Sequence, residues 1–213
     1  MKVFVTGTDT DVGKTEVSQF LLKTAMSQGM DVLAIKPIET GVETLKHEGI
    51  KTDLERLSES TNGRACGLRQ FNIPASPWQA ARVENKTVDP KTLVGSILEK
   101  AENSEFVLVE GAGGWRVPIT EDYFVSDLAC DLGWPVLLVS SDKIGTINHT
   151  LLSCESINKK VAKIGVVINE RAPSTDVSGS SEQLKILIKT NIWSYSRGSE
   201  NKEFWKAFLT WAI

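Results

Sequence analysis

GTDTDVGKT at residues 7–15 lies between a short apolar run, residues 3–6, and a segment with helical periodicity that begins near Lys14. A glycine-rich turn between a strand and a helix presents backbone N–H groups at the positive end of the helix dipole, where a polyphosphate can bind. Lys14 would add a positive charge, and Thr15 would offer a hydroxyl to Mg²⁺. The stretch therefore predicts a phosphate-binding loop within an α/β fold.

This loop is a variant of the usual motif. The spacing between Gly7 and Gly13 is one residue longer than in the standard loop, and Thr8 stands where the first glycine would lie. Partition-type ATPases also use variant loops, but they carry a second lysine at the position that Asp9 occupies here. The missing lysine argues against that class.

Apolar, β-branched runs alternate with helical patterns along the rest of the chain, which favours βαβ units and a mostly parallel sheet with helices on both faces. Five strands are predicted, at residues 3–6, 31–36, 106–109, 136–139 and 164–168. Helices are predicted from residue 14, at 53–59, from 90, at 128–132, at 147–157 and from 204. Residues 61–88 and 170–181 are expected to be largely irregular, and residues 1–213 to form a single domain.

The predicted helix that begins at residue 90 is expected to bury Leu93, Ile97, Leu98 and Ala101. Asp89 and Pro90 would serve as its cap and first-turn proline. The helical stripe of the tail, which begins at Phe204, is expected to belong to the core or to a subunit interface.

Composition and charge exclude several classes of protein. Of 213 residues, 41% are hydrophobic and 24% are charged, as in a soluble globular protein. The formal net charge is −3 and no dense basic run occurs, which argues against nucleic-acid binding. No apolar stretch approaches the roughly 20 residues that span a bilayer, so no membrane association and a cytoplasmic location are expected. Three cysteines and two histidines suggest neither disulfides nor zinc, and buried thiols are expected.

Polar residues follow the predicted strands where each strand ends. They are Thr6, Lys36, Glu110, Ser140 and Asn169. Because ligands of parallel sheets bind beyond the carboxyl ends of the strands, the convergence of these side chains at one edge predicts a site there.

Three side chains are candidates for binding Mg²⁺ or phosphate, and their positions in the sequence support these roles to different degrees. Glu110 precedes the small residues 111–114 and is the natural carboxylate ligand for Mg²⁺. Lys36, held directly before Pro37, would face a phosphate in transfer. Asp53 heads a predicted helix, and its position alone favours a helix N-cap.

Six stretches together resemble the dethiobiotin synthetase family. They are GTDTDVGKT at 7–15, KPIETG at 36–41, Asp53, VEGAGG at 109–114, IGTINHTLL at 144–152 and VVIN at 166–169. The resemblance runs in register from residue 1 to about residue 170 and does not include the tail. Because the order and spacing of all six stretches agree, it implies membership of that family and a P-loop NTPase fold.

The resemblance implies an ATP-dependent enzyme of biotin synthesis. In that family CO2 or bicarbonate and 7,8-diaminononanoate give a carbamate, which is phosphorylated to a carbamic-phosphoric anhydride. The neighbouring amine then closes the ring and releases phosphate, giving dethiobiotin and ADP. Mg²⁺ as cofactor and a homodimer with substrate bound across its interface are implied as well.

The resemblance also assigns roles to residues of this chain. It implies that nucleotide is bound by Asp11, Val12, Gly13, Lys14, Thr15, Glu16, Asp53, Glu110, Gly111, Ala112, Gly113 and Asn169, the last of these at the base. Mg²⁺ would be held by Thr15, Asp53 and Glu110, Lys36 would be catalytic, and Thr40 would contact substrate.

The chemistry of the residues agrees with these roles. A carbamate oxygen is already anionic and needs no general base, so catalysis requires positioning and cancellation of charge, which Lys14 and Lys36 can supply. The stretch from Gly145 to Asn148 should open a helix, and its free N–H groups could hold a substrate carboxylate. The role of His149 is open. Trp115 could pack on substrate or support the glycine-rich stretch from the core.

The resemblance weakens after Asn169. Glu170 follows it, and Pro173 is the last proline, so the usual proline-containing segment near the chain end has no counterpart. We therefore expect looser nucleotide selectivity than a strict ATP enzyme shows, with other nucleoside triphosphates accepted.

Two alternatives come from other classes. A nucleotide-switched binding or regulatory ATPase would not need a second lysine such as Lys36 aimed at an acceptor. An amidating synthetase would normally require a glutaminase domain, for which 213 residues leave little room.

Overall fold

Seven strands form one sheet in the computed structural model, which describes residues 1–170 and 179–213. The strands are β1 (Lys2–Gly7), β2 (Val32–Glu39), β3 (Ala65–Gln70), β4 (Phe106–Gly114), β5 (Val136–Ser141), β6 (Ile164–Glu170) and β7 (Asn191–Ser196). Their order across the sheet is β3-β2-β4-β1-β5-β6-β7, and every neighbouring pair is parallel. The predicted α/β class is confirmed.

The helices of the described ranges lie between these strands in the chain, except the last helix, which follows β7. They are α1 (Lys14–Ser27), α2 (Val42–His47), α3 (Asp53–Ser60), α4 (Pro77–Val83), α5 (Pro90–Lys100), α6 (Val125–Leu132), α7 (Thr146–Asn158), α8 (Ser180–Leu187) and α9 (Lys202–Ala212). The predicted cap of α5 is confirmed, because the Asp89 carboxylate accepts a hydrogen bond from the Thr92 amide at 3.0 Å.

Both faces of the sheet are covered, which explains the continuous apolar runs in the strand sequences. Successive residues of β1 point to opposite faces. Val3 and Val5 pack in one hydrophobic cluster with residues of α1, and Phe4 packs in the other with residues of α5 and α6. The central position of β1 places the loop that follows it near the middle of one sheet edge.

The tail forms α9 and closes one face of the sheet. Phe204, Phe208 and Trp211 are buried, and the Phe208 ring lies 6.1 Å from that of Phe106 in β4. Of the two places expected for this stripe, core and subunit interface, the structure puts it in the core of the chain.

The prediction of five strands was wrong, because β3 and β7 are also present. Residues 61–88, expected to be largely irregular, contain β3 and α4. β3 is an edge strand whose residues are half-buried or exposed, so it carries no apolar run. In β7 the buried residues Ile192 and Tyr195 are separated by half-buried residues, which weakens the strand pattern in the sequence.

Smaller expectations were also corrected. The strand predicted at residues 106–109 extends further, because residues 111–114 continue β4 and Gly114 pairs with Gly7. Leu98, expected to be buried, is 40% exposed, because α5 turns Leu93 and Ile97 toward the core instead.

The predicted bounds of the loop at residues 170–181 were wrong at both ends. Glu170 still belongs to β6, and α8 begins at Ser180. Residues 171–178 lie outside the described residues.

The three thiols are free, as predicted, but only Cys154 is buried, whereas Cys66 and Cys130 are half-buried. Among the described helices, none is long and apolar enough to cross a membrane.

Candidate active site at the carboxyl edge of the sheet

The loop between β1 and α1 has the backbone of a tight turn. Asp11 and Gly13 have φ angles of 53° and 93°, in the left-handed region. A Cβ atom on Gly13 would lie 1.9 Å from the side-chain nitrogen of Asn169, so only glycine fits there. The turn delivers Lys14 and Thr15 to the start of α1, as the sequence predicts.

Lys14 is 7% exposed, and its ammonium group donates to the Asp9 carbonyl at 3.2 Å across the loop. Burial, and then the nearby charge of Lys36, lower the pKa of Lys14. An anionic ligand in the loop would favour the charged form of this lysine and so oppose both effects.

Lys36 binds two carboxylates from distant parts of the chain. Its Nζ atom lies 2.7 Å from Asp53 Oδ2, 2.7 Å from Glu110 Oε1 and 3.4 Å from the Gly111 carbonyl oxygen. The Thr15 hydroxyl lies 2.7 Å from Asp53 Oδ1 and 2.9 Å from Glu110 Oε1. The structure thus brings together Lys36, Thr15, Asp53 and Glu110, which we call the acidic–lysine cluster.

Asp53 is available to this cluster because it is not the helix cap. The N-cap of α3 is Thr52, whose hydroxyl accepts from the Glu55 amide, while the Glu55 carboxylate accepts from the Thr52 amide. The interpretation of Asp53 as an N-cap from its position alone was therefore wrong. Its carboxylate turns instead toward Lys36 and Thr15.

The charges of the cluster stabilise one another. Burial alone would raise the pKa of Asp53, but the Lys36 ammonium and the Thr15 hydroxyl lower it to about 2. Burial alone would lower the pKa of Lys36, but Glu110 and Asp53 raise it. Lys36 and Asp53 are therefore both charged at neutral pH.

The residues present fit a divalent cation. Glu110 is fully buried, and its Oε2 atom has no hydrogen-bond partner among the described residues, which is unusual for a buried carboxylate oxygen. With the Asp53 carboxylate and the Thr15 hydroxyl nearby, the donor set consists of oxygen atoms alone. Such a set matches the preference of Mg²⁺.

A cleft opens beside the loop and is lined by Asp11, Gly13, Lys14, Thr15, Glu16, Asp53 and Arg56. All of these except Arg56 were predicted to bind nucleotide. The Arg56 guanidinium donates to the Gln19 side chain at 3.3 Å, which holds it beside α1. Arg56 follows Asp53 by about one helical turn, and that spacing is the signal that could have identified it.

Asn169, in β6, lies beside the loop and is 1% exposed. Its amide nitrogen donates to the Val12 carbonyl at 3.2 Å, and its Oδ1 atom has no hydrogen-bond partner within the described ranges. In the structure Asn169 therefore supports the backbone of the phosphate loop. A contact with the base stays a prediction, for which the Oδ1 atom offers an acceptor.

Three more of the residues predicted for the nucleotide lie in β4. Gly111 is buried, and Ala112 and Gly113 are half-buried at the end of the strand. The strand pairing of Gly7 with Gly114 holds this end of β4 directly beside the start of the phosphate loop.

The residues predicted for substrate lie further apart. Thr40 is half-buried directly after β2, while Gly145 and Asn148 are exposed at the start of α7. Within the described parts of the chain, no hydrogen bond joins Gly145 or Asn148 to the acidic–lysine cluster. His149 is exposed beside them.

Trp115 lies in the core. It is 3% exposed, and its indole N–H donates to the Ser156 hydroxyl at 3.1 Å. These contacts favour support of the end of β4 over contact with substrate.

Sequence reasoning missed Glu39, which is 4% exposed at the end of β2. Its Oε1 atom accepts from the amides of Asp53 and Leu54, at 2.6 and 3.2 Å. Its position at the end of a buried strand could have identified it. Lys36 and Glu110 were identified in the same way, because ligands of parallel sheets bind beyond the carboxyl ends of the strands.

The fold and the loop define the class of this protein as a P-loop nucleotide-binding protein. The hydrogenase maturation factor HypB of Archaeoglobus fulgidus aligns over 99% of this chain and 89% of its own, with 15% identity and a TM-score of 0.61. The septum site-determining protein MinD of Pyrococcus horikoshii, solved with Mg-ADP, aligns over 90% of this chain and 78% of its own, with 17% identity and a TM-score of 0.58. At these identities the likeness establishes the fold alone.

Sequence relatives define the family more narrowly. A family model described as an AAA domain matches residues 1–192. The ATP-dependent dethiobiotin synthetase BioD 2 of Pasteurella multocida is 38% identical over 189 residues, which cover 86% of this chain and 88% of that protein. The ATP-dependent dethiobiotin synthetase BioD of Wolinella succinogenes is 37% identical over 172 residues, covering 78% and 79%. This chain belongs to the dethiobiotin synthetase family.

Proposed function

We propose that this chain is an ATP-dependent dethiobiotin synthetase, which converts 7,8-diaminononanoate, CO2 and ATP to dethiobiotin, ADP and phosphate. The observation that carries the proposal is the placement of Lys36, a second buried lysine beside the phosphate loop, between the carboxylates of Asp53 and Glu110. A nucleotide switch has no need of such a lysine. The identity to named synthetases over most of the chain supports the same reaction.

The phosphate loop and the acidic–lysine cluster divide the work of binding. The loop amides and Lys14 would hold the polyphosphate, while Asp53, Glu110 and Thr15 would hold Mg²⁺. When bound, Mg²⁺ would neutralise part of the charge on the phosphate oxygens. The remaining predicted residues would surround the nucleotide: Asp11, Val12, Gly13 and Glu16 at the phosphates, and Gly111, Ala112 and Gly113 at its border.

The chemistry requires little of the protein beyond orientation and charge. A carbamate oxygen attacks the terminal phosphorus, the new O–P bond forms and the bond to ADP breaks. Lys36 would stabilise the charge that spreads over the transferred group, and no general base is needed because the carbamate is already an anion. The free amine then attacks the carbamoyl carbon, the C–N bond forms, and phosphate leaves as the amine loses its proton.

The substrate end of the site is proposed to include a second subunit. Gly145 and Asn148 lie at the start of α7, and the exposed face of that helix continues through Leu152, which is 58% exposed. Ile144, directly before the helix, is 85% exposed. An exposed apolar stripe beside predicted substrate residues supports a homodimer in which the partner's α7 N-terminus meets the substrate carboxylate and Thr40 of this chain meets its other end.

The proposed setting is the cytoplasm. Free cysteines persist where thiols are kept reduced, and Cys66, Cys130 and Cys154 are all free.

Product analysis tests the proposed reaction. The protein is incubated with diaminononanoate, ¹³C-bicarbonate, Mg²⁺ and ATP, and the products are followed by mass spectrometry with a phosphate assay in parallel. We expect dethiobiotin that carries one ¹³C atom, with one phosphate released for each molecule formed. ATP hydrolysis that proceeds without diaminononanoate and yields no dethiobiotin would instead support a nucleotide switch.

The proposed interface is tested by matched charge substitutions on two apolar side chains. Ile144→Asp on the α7 side should convert a dimer to a monomer in sedimentation experiments and raise the KM for diaminononanoate. Ile186→Asp is the control, because Ile186 is 86% exposed on α8 and Ile144 is 85% exposed. A wild-type monomer, or dissociation by the α8 substitution alone, would contradict this interface.

Nucleotide selectivity is proposed to be loose, because the sequence departs from the family pattern after Asn169 and contains no proline after Pro173. The kcat/KM values for ATP, GTP and CTP measure this directly. Values within about tenfold of one another are expected, and a strong preference for ATP alone would contradict the proposal.

A further inference from the structure

Glu39 is a buried carboxylate outside the residues assigned to binding or catalysis. A carboxylate that leaves water is costly unless hydrogen bonds compensate. Within the described ranges its direct partners are neutral N–H donors: the amides of Asp53 and Leu54 at 2.6 and 3.2 Å, and the Gln70 side chain at 3.1 Å. Two of these three bonds hold the start of α3.

These bonds complete the N-terminus of α3. The first N–H groups of a helix have no partners within the helix and must be satisfied by other groups. Glu55 accepts from the Thr52 amide, and Thr52 accepts from the Glu55 amide. The two amides between them, those of Asp53 and Leu54, both donate to Glu39. A carboxylate at this end of the helix is also favoured by the helix dipole.

Glu39 therefore holds the main chain of the residue whose side chain enters the cluster. Asp53 Oδ2 lies 2.7 Å from Lys36 Nζ, and Asp53 Oδ1 lies 2.7 Å from the Thr15 hydroxyl. Lys36 and Glu39 belong to the same strand, β2, so one rigid element binds Asp53 at its side chain and at its amide. If the amide were released, the first turn of α3 could shift and carry the carboxylate away from Thr15.

We propose that Glu39 is a positioning residue, which orients Asp53 for the divalent cation and for Lys36 through hydrogen bonds to the first turn of α3. The proposal rests on the proposed function only in taking Asp53 as a ligand of nucleotide-bound Mg²⁺. It adds to that function a residue that acts through the main chain of Asp53.

The test measures nucleotide binding by calorimetry at increasing Mg²⁺ concentrations, without turnover. Glu39→Ala should raise, by about tenfold, the Mg²⁺ concentration at which Mg²⁺ has half of its full effect on the affinity for ATP. ATP binding in EDTA should be unchanged. Glu39→Gln keeps an acceptor oxygen and should restore the wild-type Mg²⁺ response to within about threefold. If Glu39→Ala does not fold, Glu39→Asp, with the same charge on a shorter side chain, should show the raised Mg²⁺ requirement.

Thr52→Ala is the matched control, because it removes the other side-chain bond to the same helix terminus. It should lower the melting temperature in a similar way and leave the Mg²⁺ response as in the wild type. The proposal is overturned if Glu39→Ala only lowers stability, if Glu39→Gln fails to restore the response, or if Thr52→Ala raises the Mg²⁺ requirement equally. Because the readout needs no product, failure of the proposed reaction would be distinguishable from failure of this proposal.

Discussion

Lys36, which we propose to be catalytic, is also a structural residue. It is 3% exposed and binds the half-buried Asp53 and the fully buried Glu110, two carboxylates that would otherwise repel each other. Removal of one member of a buried ion pair leaves uncompensated charge, which costs much more than the loss of an exposed pair. The lysine predicted to act on phosphate therefore also stabilises the site by compensating the charge of its carboxylates.

Lys36→Ala is expected to lower turnover at least about 100-fold while the protein stays folded and binds Mg²⁺-ATP. Without Mg²⁺ the free energy of unfolding should fall by about 3 kcal/mol, because the buried carboxylate of Glu110 and the half-buried carboxylate of Asp53 lose their cation. Mg²⁺ should restore part of this loss. Urea unfolding with and without Mg²⁺, together with product assays, measures both effects.

The control for Lys36→Ala is Lys51→Ala, which breaks an ion pair with Glu59 at the surface, where Lys51 is 61% exposed. Lys51→Ala should lower the free energy of unfolding by less than about 1 kcal/mol and leave turnover unchanged. Turnover close to that of the wild type in Lys36→Ala would show that the catalytic assignment is wrong.

Gly13 provides a second prediction at the scale of single residues. Gly13→Ala combines a φ of 93° with a Cβ atom 1.9 Å from the Asn169 side chain. It should abolish nucleotide binding in calorimetry and lower the free energy of unfolding by more than about 2 kcal/mol. Gly133→Ala has the same class of backbone, with φ of 66°, but nothing lies within 4 Å of the added atom. It should lower the free energy of unfolding by about 1 kcal/mol and leave nucleotide binding intact. Equal effects of Gly13→Ala and Gly133→Ala would refute the steric explanation.

At the scale of elements, the starts of α3 and α6 depend on acidic side chains that also make other contacts. α6 begins after Phe124, whose amide donates to the Asp127 carboxylate at 2.9 Å, and Lys160 donates to the same carboxylate at 2.6 Å. Asp127 thus caps its own helix and ties it to the segment that follows α7. At the start of α3 two carboxylates share these tasks: Glu39 accepts from the first amides of the helix, and Asp53 ties the helix to Lys36.

A pH dependence follows for α6. Burial alone would raise the pKa of Asp127, but hydrogen bonds from Lys160 and the Phe124 amide lower it below its usual value. Its contribution to stability is therefore fully present above the unfolded pKa of about 3.9 and is lost as the pH falls through the lower folded pKa.

Asp127→Asn is expected to lower the free energy of unfolding at pH 7, and the difference from wild type should shrink as the pH falls below about 4. Urea unfolding across this range measures it. Glu121→Gln, a change of an exposed carboxylate in the loop before α6, is the control. A difference for Asp127→Asn that stays constant down to about pH 2 would contradict the assignment.

At the scale of the whole molecule, α9 completes one face of the sheet. Its aromatic rings pack on one another and on neighbouring elements: the Phe204 ring lies 5.7 Å from that of Phe20 in α1, and the Trp211 ring lies 5.5 Å from that of Trp193 in β7. The tail therefore joins the first helix to the last strand.

Phe208→Ala is expected to lower the free energy of unfolding by about 3 to 5 kcal/mol, because a fully buried ring at the centre of this face is lost. Ile213→Ala is the control, since Ile213 follows the same helix but is 91% exposed, and its loss should cost no more than about 0.5 kcal/mol. Denaturant unfolding compares the two. Similar values for both would show that the tail is not part of the core.

Much of the fold could be predicted because its signals are local. The apolar runs of the central strands, the loop at residues 7–15 and the cap at Asp89 each depend on neighbours in the chain. Edge strands bury little, so β3 and β7 left weak patterns and were missed. Leu98 was wrongly predicted to be buried. Helical periodicity identifies the apolar face of α5, but it does not show how much of that face the core covers.

By itself, the sequence determined the α/β class, the phosphate loop and the polar residues that end the central strands, because chirality, strand burial and turn chemistry act over short stretches. Only the tertiary structure decided that Thr52 rather than Asp53 caps α3, that Glu39 binds the Asp53 amide, and that the tail lies in the core. Each of these depends on where α3 or α9 packs against the sheet. Such contacts join residues far apart in the chain, and they are selected by the packing of the whole molecule rather than by any local pattern.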